Sequence, residues 1–396
     1  MDTKALGQFY RDKLLNEVEP FWFPRAVDTV NGGLYHCFDA DGTLVDTDKN
    51  VWAQGRMAWM LLTCYNSIEK RPQWLQYAES ALNFLETKCV DLSDGRMYFH
   101  VTADGTPIRK RRYAYSECFA AIAHAAHYGA TGDARSAERA RHWFDIFADI
   151  FFTPGKMLPK TTGLRPTENL GCRMIMLVTC QEMRKYLGDP DGFYTGWIDR
   201  CIGDLRRLFM KEDIKAVMEN VAPDGSIIDH FDERTQNPGH AIEGGWFILE
   251  EARLRGNDPE LIDTGCKMID WSLARGWDPK FGGLLYYTDV FGGPVQEYWH
   301  NMKFWWPHDE ALIGTCLAYV MTGDEKYAEW HQRVHDWAFE HLQDHEHGEW
   351  FGYCERDGSP ANGLKGSMWK SFFHHPRALW NCAHYFGAIP APTTCK

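Results

Sequence analysis

No stretch of the 396 residues approaches the run of about 18 apolar side chains that a membrane helix needs, so the sequence offers no membrane partner. Positive charge is short as well. The formal net charge is −13, which argues against a nucleic-acid partner, since that would need a basic footprint. The 12 cysteines stand singly from Cys37 to Cys395, with no C-x-x-C pair. That scatter excludes zinc-finger spacing and a stapled disulfide framework, and it reads as small buried hydrophobes in a reducing compartment. A G-x-x-x-x-G-K-[ST] phosphate loop is missing, so a Walker-type nucleotide site is not supported. Residues Met1 to Gln8 lack the charged-then-apolar pattern of a signal peptide, and the expected setting is the cytoplasm. No Ser/Gly/Pro-rich linker divides the chain, the one low-complexity stretch being Ala388 to Lys396. A single domain over residues 1–396 is the expectation.

Aromatic residues are plentiful, with 17 Trp, 17 Tyr and 23 Phe. Most are expected to fill a large helical core, and the remainder offer flat faces of the kind that sugars pack against. Six segments resemble one another, beginning at Gly32, Gly95, Gly155, Ala216, Gly282 and Gly348. Most join a glycine, an aromatic stretch and an Asp-Gly or Gly-Gly turn, which predicts a small hairpin. The marker glycines Gly42, Gly105, Gly163, Gly225, Gly292 and Gly358 are 58 to 67 residues apart, and the third segment is the weakest match. Between these segments the chain reads as helix, break, helix, as in Ser116 to His127 followed by Asp133 to Ile150. Six hairpins and twelve helices predict an all-α fold, an (α/α)6 barrel with short β-hairpins on one rim. An open superhelix of helix pairs is the competing arrangement.

A closed barrel brings residues of one repeat phase toward its axis. Between 10 and 18 residues after each marker glycine stand Arg56, Glu117, Arg173, His240, Glu310 and His374. Ionisable groups on inner helices are costly unless paired, so six of them suggest either a site or a ring of structural ion pairs. His240 follows the turn Asn237-Pro-Gly239, with Glu243 three residues on, where it could orient the imidazole. His374 stands in Phe373-His-His-Pro-Arg377. Two bases that titrate near neutrality and face one cavity suit removal of a proton beside a carbonyl and its return to the other face, with an arginine such as Arg56 stabilising the enolate oxygen. His36, His124 and His300 read as structural. His341, His345 and His347 have metal-like spacing but acidic, solvated surroundings, so no metal is assigned. The basic run Arg109 to Arg112 reads as a solvated loop, with a phosphate-bearing effector as the alternative.

Eight ordered motifs, spread over essentially the whole chain, resemble the N-acylglucosamine 2-epimerase (renin-binding protein) family. They are Val51-Trp-Ala-Gln-Gly-Arg56, Ser116-Glu-Cys118, Glu219-Asn-Val221, Asn237-Pro-Gly-His-Ala-Ile-Glu243, Gly276-Trp-Asp278 with Gly282-Gly283, Lys303-Phe-Trp-Trp-Pro-His308, Gly348-Glu-Trp-Phe-Gly-Tyr353 and Phe373-His-His-Pro-Arg377. The resemblance implies an (α/α)6 barrel that interconverts N-acetylglucosamine and N-acetylmannosamine with no required cofactor, and a homodimer. For several members it implies ATP as an allosteric activator. It places the catalytic pair on His240 and His374, and substrate binding on Arg56, Glu243, Trp305, Trp306, Glu310 and Arg377. His375, at the variable position of its motif, is given no catalytic role.

Two departures bear on the substrate. Leu170-Gly-Cys-Arg-Met174 stands where the family has Leu-Ala-Val-Pro-Met, and Ser371-Phe372 replaces a smaller Gly-Cys pair. Added charge at Arg173 and bulk at Phe372 near the cavity are expected to disturb N-acetyl specificity. The alternative substrate is then mannose or another unacylated sugar, epimerised or isomerised from aldose to ketose. Rival readings are a glycoside hydrolase using Glu117, Glu243 and Glu310, and a non-enzymatic binding protein.

Overall fold

A computed structural model describes residues 1–393; Cys395 and the end of the Ala388–Lys396 tail lie outside the described residues. Among the described residues, twelve main helices alternate between two concentric rings. The outer ring holds α1 (Thr3–Lys13, continued by turns at Leu14–Val18 and Glu19–Trp22), α3 (Pro72–Lys88), α5 (Ala134–Phe152), α7 (Phe193–Asp204), α9 (Pro259–Gly276) and α11 (Glu325–His341). The inner ring holds α2 (Val51–Ser67), α4 (Tyr115–Thr131), α6 (Leu170–Leu187), α8 (Pro238–Leu254), α10 (Trp305–Thr322) and α12 (His374–Tyr385).

Composition decides which ring a helix joins. Outer helices carry one apolar stripe. In α5 it is Ser136, Ala137, Ala140, Trp143, Phe144 and Phe147, the spacing of a single helical face, while arginines and acids cover the rest. Inner helices are covered on almost every side, and in α4 the run from Ser116 to His127 is buried throughout. Each inner helix packs on its outer partner and on its inner neighbours. The ring closes where α12 meets both α10 and α2, and α1 packs against α12. The closed barrel, not the open superhelix, is therefore the arrangement.

The rim differs in part from the expected hairpins. Local hairpins form at Cys37–Phe38 with Leu44–Asp46 and at His100–Val101 with Pro107–Arg109. Two more join Val90–Asp91 to Arg96–Met97 and Met210–Lys211 to Ala216–Val217, but an equal number of strand pairs joins one unit to the next. Lys49–Asn50 pairs with His100–Val101, Glu168–Asn169 with Asn220–Val221, Thr235–Gln236 with Thr288–Asp289, and Lys303–Phe304 with Tyr353–Cys354, all antiparallel. In each case the first strand leads directly into an inner helix or its cap, so the pairing fixes where that helix begins. The Asp-Gly turns at Gly42, Gly105, Gly225 and Gly358 do form, with φ between 81 and 94°, where a side chain would be strained. Gly163 is in no such turn, in keeping with its weak match.

Three rim loops share a device that the sequence reading overlooked. Lys49, Lys303 and Lys365 are buried and donate to Asp28 (2.6 Å), Asp278 (3.2 Å) and Asp344 (2.9 Å). Each ammonium also donates to a glycine carbonyl, at Gly32, Gly283 and Gly348. Burial of these charges is tolerated because partners meet both the charge and the donors. The eleven described cysteines are free thiols, half-buried at Cys172 and Cys266 and buried elsewhere. Among the described residues no helix is long and apolar enough to cross a membrane.

Candidate active site

A cavity of about 690 Å³ occupies the barrel axis, reached by the N-terminal ends of the inner helices. Its lining follows helical periodicity: Trp52, Arg56 and Trp59 on α2, Tyr115, Phe119 and Ile122 on α4, and His240, Glu243 and Phe247 on α8. Asn237 caps α8 by accepting from the His240 backbone N–H at 3.0 Å, which holds His240 in the first helical turn. His374 is the first residue of α12. These helices flank α10, and the Trp306 ring on α10 lies 4.8 Å from the His240 ring and 5.8 Å from that of His374. Two imidazoles thus share one indole wall.

Each imidazole has its Nδ1 held by a carboxylate. His240 Nδ1 donates to Glu219, 3.1 Å from either carboxylate oxygen. His374 Nδ1 donates to Glu310 Oε1 at 2.8 Å. That assignment leaves Nε2 of both rings for a substrate. Glu310 is buried and carries a dense set of donors. Its Oε2 accepts from Trp246 at 2.8 Å, and its Oε1 also accepts from Arg377 Nη2 at 2.5 Å. The same Arg377 nitrogen donates to Glu243 Oε1 at 2.6 Å.

The electrostatics of the two imidazoles differ in sign. Burial pulls the His240 pKa down, but the facing Glu219 carboxylate outweighs it, aided by Glu243 and Glu310, and the pKa ends above its ordinary value. A third of the His240 side chain is exposed, and that exposure is to the cavity. His374 is held well below its ordinary value by burial and by the positive charges of Arg377 and Arg56. Burial raises the Glu310 carboxyl despite its arginine partner. Arg56 lies among aromatic faces, its guanidinium carbon 4.3 Å from the Phe119 ring centre, 4.6 Å from Phe373 and 5.1 Å from Trp52. Its buried Nε has no protein partner, and burial together with Arg377 lowers its pKa to about 10. An unpaired cation in an aromatic sleeve is set to receive a developing negative oxygen.

The structure brings His240, His374, Arg56, Glu243, Glu310, Arg377 and Trp306 together. Trp305 is a step back, its ring 6.1 Å from His374 and 5.5 Å from Tyr353. The expected six-residue ring loses two members. Glu117 turns to the rim, where it accepts from Arg96 and from the Met97 backbone. Arg173 turns outward to Glu168 and Asp204. Distance from a marker glycine does not fix phase, because each residue turns a helix by about 100°. Glu117 lies two positions from both Tyr115 and Phe119, on the face away from the cavity. The partner expected for His240 also changes. Glu243 is bonded to Arg377, and Glu219 orients the imidazole instead.

Glu219 stands in the Glu219-Asn-Val221 motif, and the motif alone implies no role for it. The available signal was a carboxylate beside the apolar Ala216-Val-Met218 in the fourth rim segment. The hydrolase reading fails on the same geometry, since Glu117 is outside the cavity and one arginine nitrogen holds both Glu243 and Glu310. Ligand atoms of Glu243, Glu310 and His374 lie within 4.8 Å of one another, as a cation site would require, but the Arg377 guanidinium already bonds both carboxylates. His341, His345 and His347 form no comparable group among the described residues. His347 pairs with Asp344, and His341 packs on Trp337. In the basic run, Lys110 is spent on Asp91 and Asp94 and Arg112 on the Leu158 carbonyl. The three histidines read as structural have such partners: His36 bonds the Ser367 carbonyl and the Asn50 N–H, His124 bonds Glu86, and His300 bonds the Glu297 carbonyl. His375 is buried on Asp309 and stacks on Trp350.

A sequence model of the N-acylglucosamine 2-epimerase (GlcNAc 2-epimerase) family matches residues 33–378. The chain belongs to this family. The N-acylglucosamine 2-epimerase of Mus musculus is 34% identical over 393 residues, covering 96% of this chain and 92% of that one. Its Bos taurus counterpart is 35% identical over 378 residues, covering 93% and 88%. The structure of cellobiose 2-epimerase from Bacillus thermoamylovorans B4167 superposes with a TM-score of 0.83 at 22% identity, over 96% of this chain and 99% of that one, and shares the fold. The family is one of enzymes, and an epimerase is an isomerase. Gly171 and Met174 of the first departure line the cavity, but the two added side chains, Arg173 and Phe372, do not enter it. Phe372 is buried against Trp22 and Phe23, and Arg173 is paired outward, so neither intrudes on a substrate.

Proposed function

We propose that this protein interconverts N-acetylglucosamine and N-acetylmannosamine by inverting C2 of the ring-opened sugar, the whole chain serving as one catalytic domain. The observation that carries the reading is the histidine pair: two imidazoles from different inner helices, each pinned at Nδ1, with opposite pKa shifts. With the sugar open, the C1 aldehyde acidifies the C2 proton. Neutral His374 takes that proton at Nε2, the C2–H electrons move to the carbonyl oxygen beside Arg56, and protonated His240 delivers a proton to the other face of C2. The reverse reaction starts with the two protonation states exchanged. An aldose–ketose isomerase would return the proton to C1 and could use one base, so a matched pair favours epimerisation. The unobstructed cavity at Phe372 and Arg173, with the mammalian relatives named above, favours the acylated sugar over mannose. The free thiols support a cytoplasmic setting, and the family resemblance extends the reading to a homodimer.

The direct test is proton NMR of N-acetylglucosamine with the protein in D₂O. Growth of N-acetylmannosamine carrying deuterium at C2 is expected, and absence of both inversion and exchange overturns the reading.

Glu219 is a positioning residue in this scheme. Catalysis needs one proton on the pair, so kcat/KM is bell-shaped in either direction, with the alkaline limb set by His240 and the acidic limb by His374. Glu219→Gln removes the charge that raises His240, so the alkaline limb moves to lower pH while the acidic limb stays. A merely structural Glu219 would lower activity at every pH and leave the limb in place.

A further inference from the structure

Of the catalytic cluster, Arg56, His240, Glu243 and Arg377 line the cavity, and they occupy only its upper end. On α6 the lining runs from Gly171 to Lys185 and on α8 from His240 to Arg255, about 20 Å of helix at 1.5 Å per residue. Below the level of Met174 the walls are largely apolar, with Phe119, Ile122, Ile175, Val178 and Phe247, and the amide nitrogens of Asn381 and Gln181 among them already donate to backbone carbonyls. The apolar stretch ends where Lys185 pairs with Glu182 and Arg253 with Glu250, and Ala391–Pro392 line the cavity beyond them. A sugar with several hydroxyls placed in the middle of this lumen would leave most of them without a hydrogen-bonding partner, which is costly. The acyl arm on C2 is the one apolar part of the proposed substrate, and it leaves the carbon that the two histidines flank.

We infer that the lumen below His240 and His374 is a channel for the N-acyl group, and that it takes straight acyl chains longer than acetyl. This rests on the reading above and specifies its substrate class. Each methylene added in the apolar stretch leaves water, which corresponds to roughly a threefold to fourfold gain in kcat/KM. The ion pairs at Glu182–Lys185 and Glu250–Arg253 end the channel, and gains stop when a chain reaches them. Val178 is half-buried, faces the lumen and has no part in the chemistry, which makes it the residue to enlarge.

The experiment compares kcat/KM for N-acetyl-, N-propanoyl-, N-butanoyl- and N-hexanoylglucosamine, together with binding of the matching N-acylglucosaminitols, which cannot epimerise. The expected result is a preference for butanoyl over acetyl of about tenfold. In Val178→Phe that preference inverts, while turnover of the acetyl sugar changes by less than about twofold; Val178→Leu gives the same trend in weaker form should the larger ring disturb folding. Equal or poorer turnover and binding of the butanoyl compounds in the unaltered protein overturns the channel. If no sugar of the series is epimerised, the proposed reaction fails, and the glucosaminitol binding series alone then decides the channel.

Discussion

Replacing His374 by asparagine lowers kcat for epimerisation by about a thousandfold, within the range that a positioned acid–base group supplies, with little change in KM. The fold should survive, because Glu310 keeps its bonds from Trp246 and Arg377 and is not left unpaired. His240→Asn gives a comparable loss of inversion. The two variants differ in what remains. A single base can still remove a proton from the epimer whose C2–H faces it and return a solvent deuteron to the same face. Each variant therefore exchanges one epimer in D₂O without inverting it, and the two variants select opposite epimers. His240→Asn should exchange faster, because it keeps the imidazole whose pKa is held well below its ordinary value, whereas Glu219 raises the pKa of His240 and favours its charged form. Exchange of both epimers by either variant, or near-normal inversion by His374→Asn, would show that the pair does not divide the work.

What the sequence made legible follows from what is local. Inner and outer helices separate because burial on all sides and burial on one stripe leave different compositions, as Ser116 to His127 and Ala134 to Phe152 demonstrate. His240 and His374 are legible because both begin a helix after a rim segment, so the position of the turn fixes their place. Glu117 and Arg173 were misplaced because distance along the chain ignores helical phase. Glu219 reaches His240 across 21 residues, through a rim loop whose strand partner belongs to another unit. The pairing of Lys49 with Asp28 and the unit-to-unit strands are hidden for the same reason: each partner is chosen by the closed ring, and no short window of sequence contains both.

Arg377 ties the site to the fold, and its removal should cost more stability than any other change to the cluster. In Arg377→Met, Glu310 loses the cation that neutralises it in a fully buried position, and Glu243 loses the same partner. Breaking a buried pair from one side costs about 3–5 kcal/mol, because the remaining charge cannot regain water. Thermal unfolding should show a correspondingly large fall in Tm, and less of it at acid pH. The sign follows from the lost partner: without Arg377, Glu310 would carry a pKa higher still than its already raised one, so it binds a proton in the folded state more readily than in the unfolded chain, and stability rises as pH falls toward the range in which it is protonated. Arg377→Lys should restore charge but not packing, since an ammonium has no planar guanidinium to lie against the Trp246 and Phe373 rings. The double change Arg377→Met with Glu310→Gln should recover much of the lost stability, and no activity, because His374 Nδ1 would then face a neutral amide in place of the carboxylate that orients it. A double variant no more stable than Arg377→Met would mean that the loss came from packing against Trp246 and Phe373, not from the buried charge.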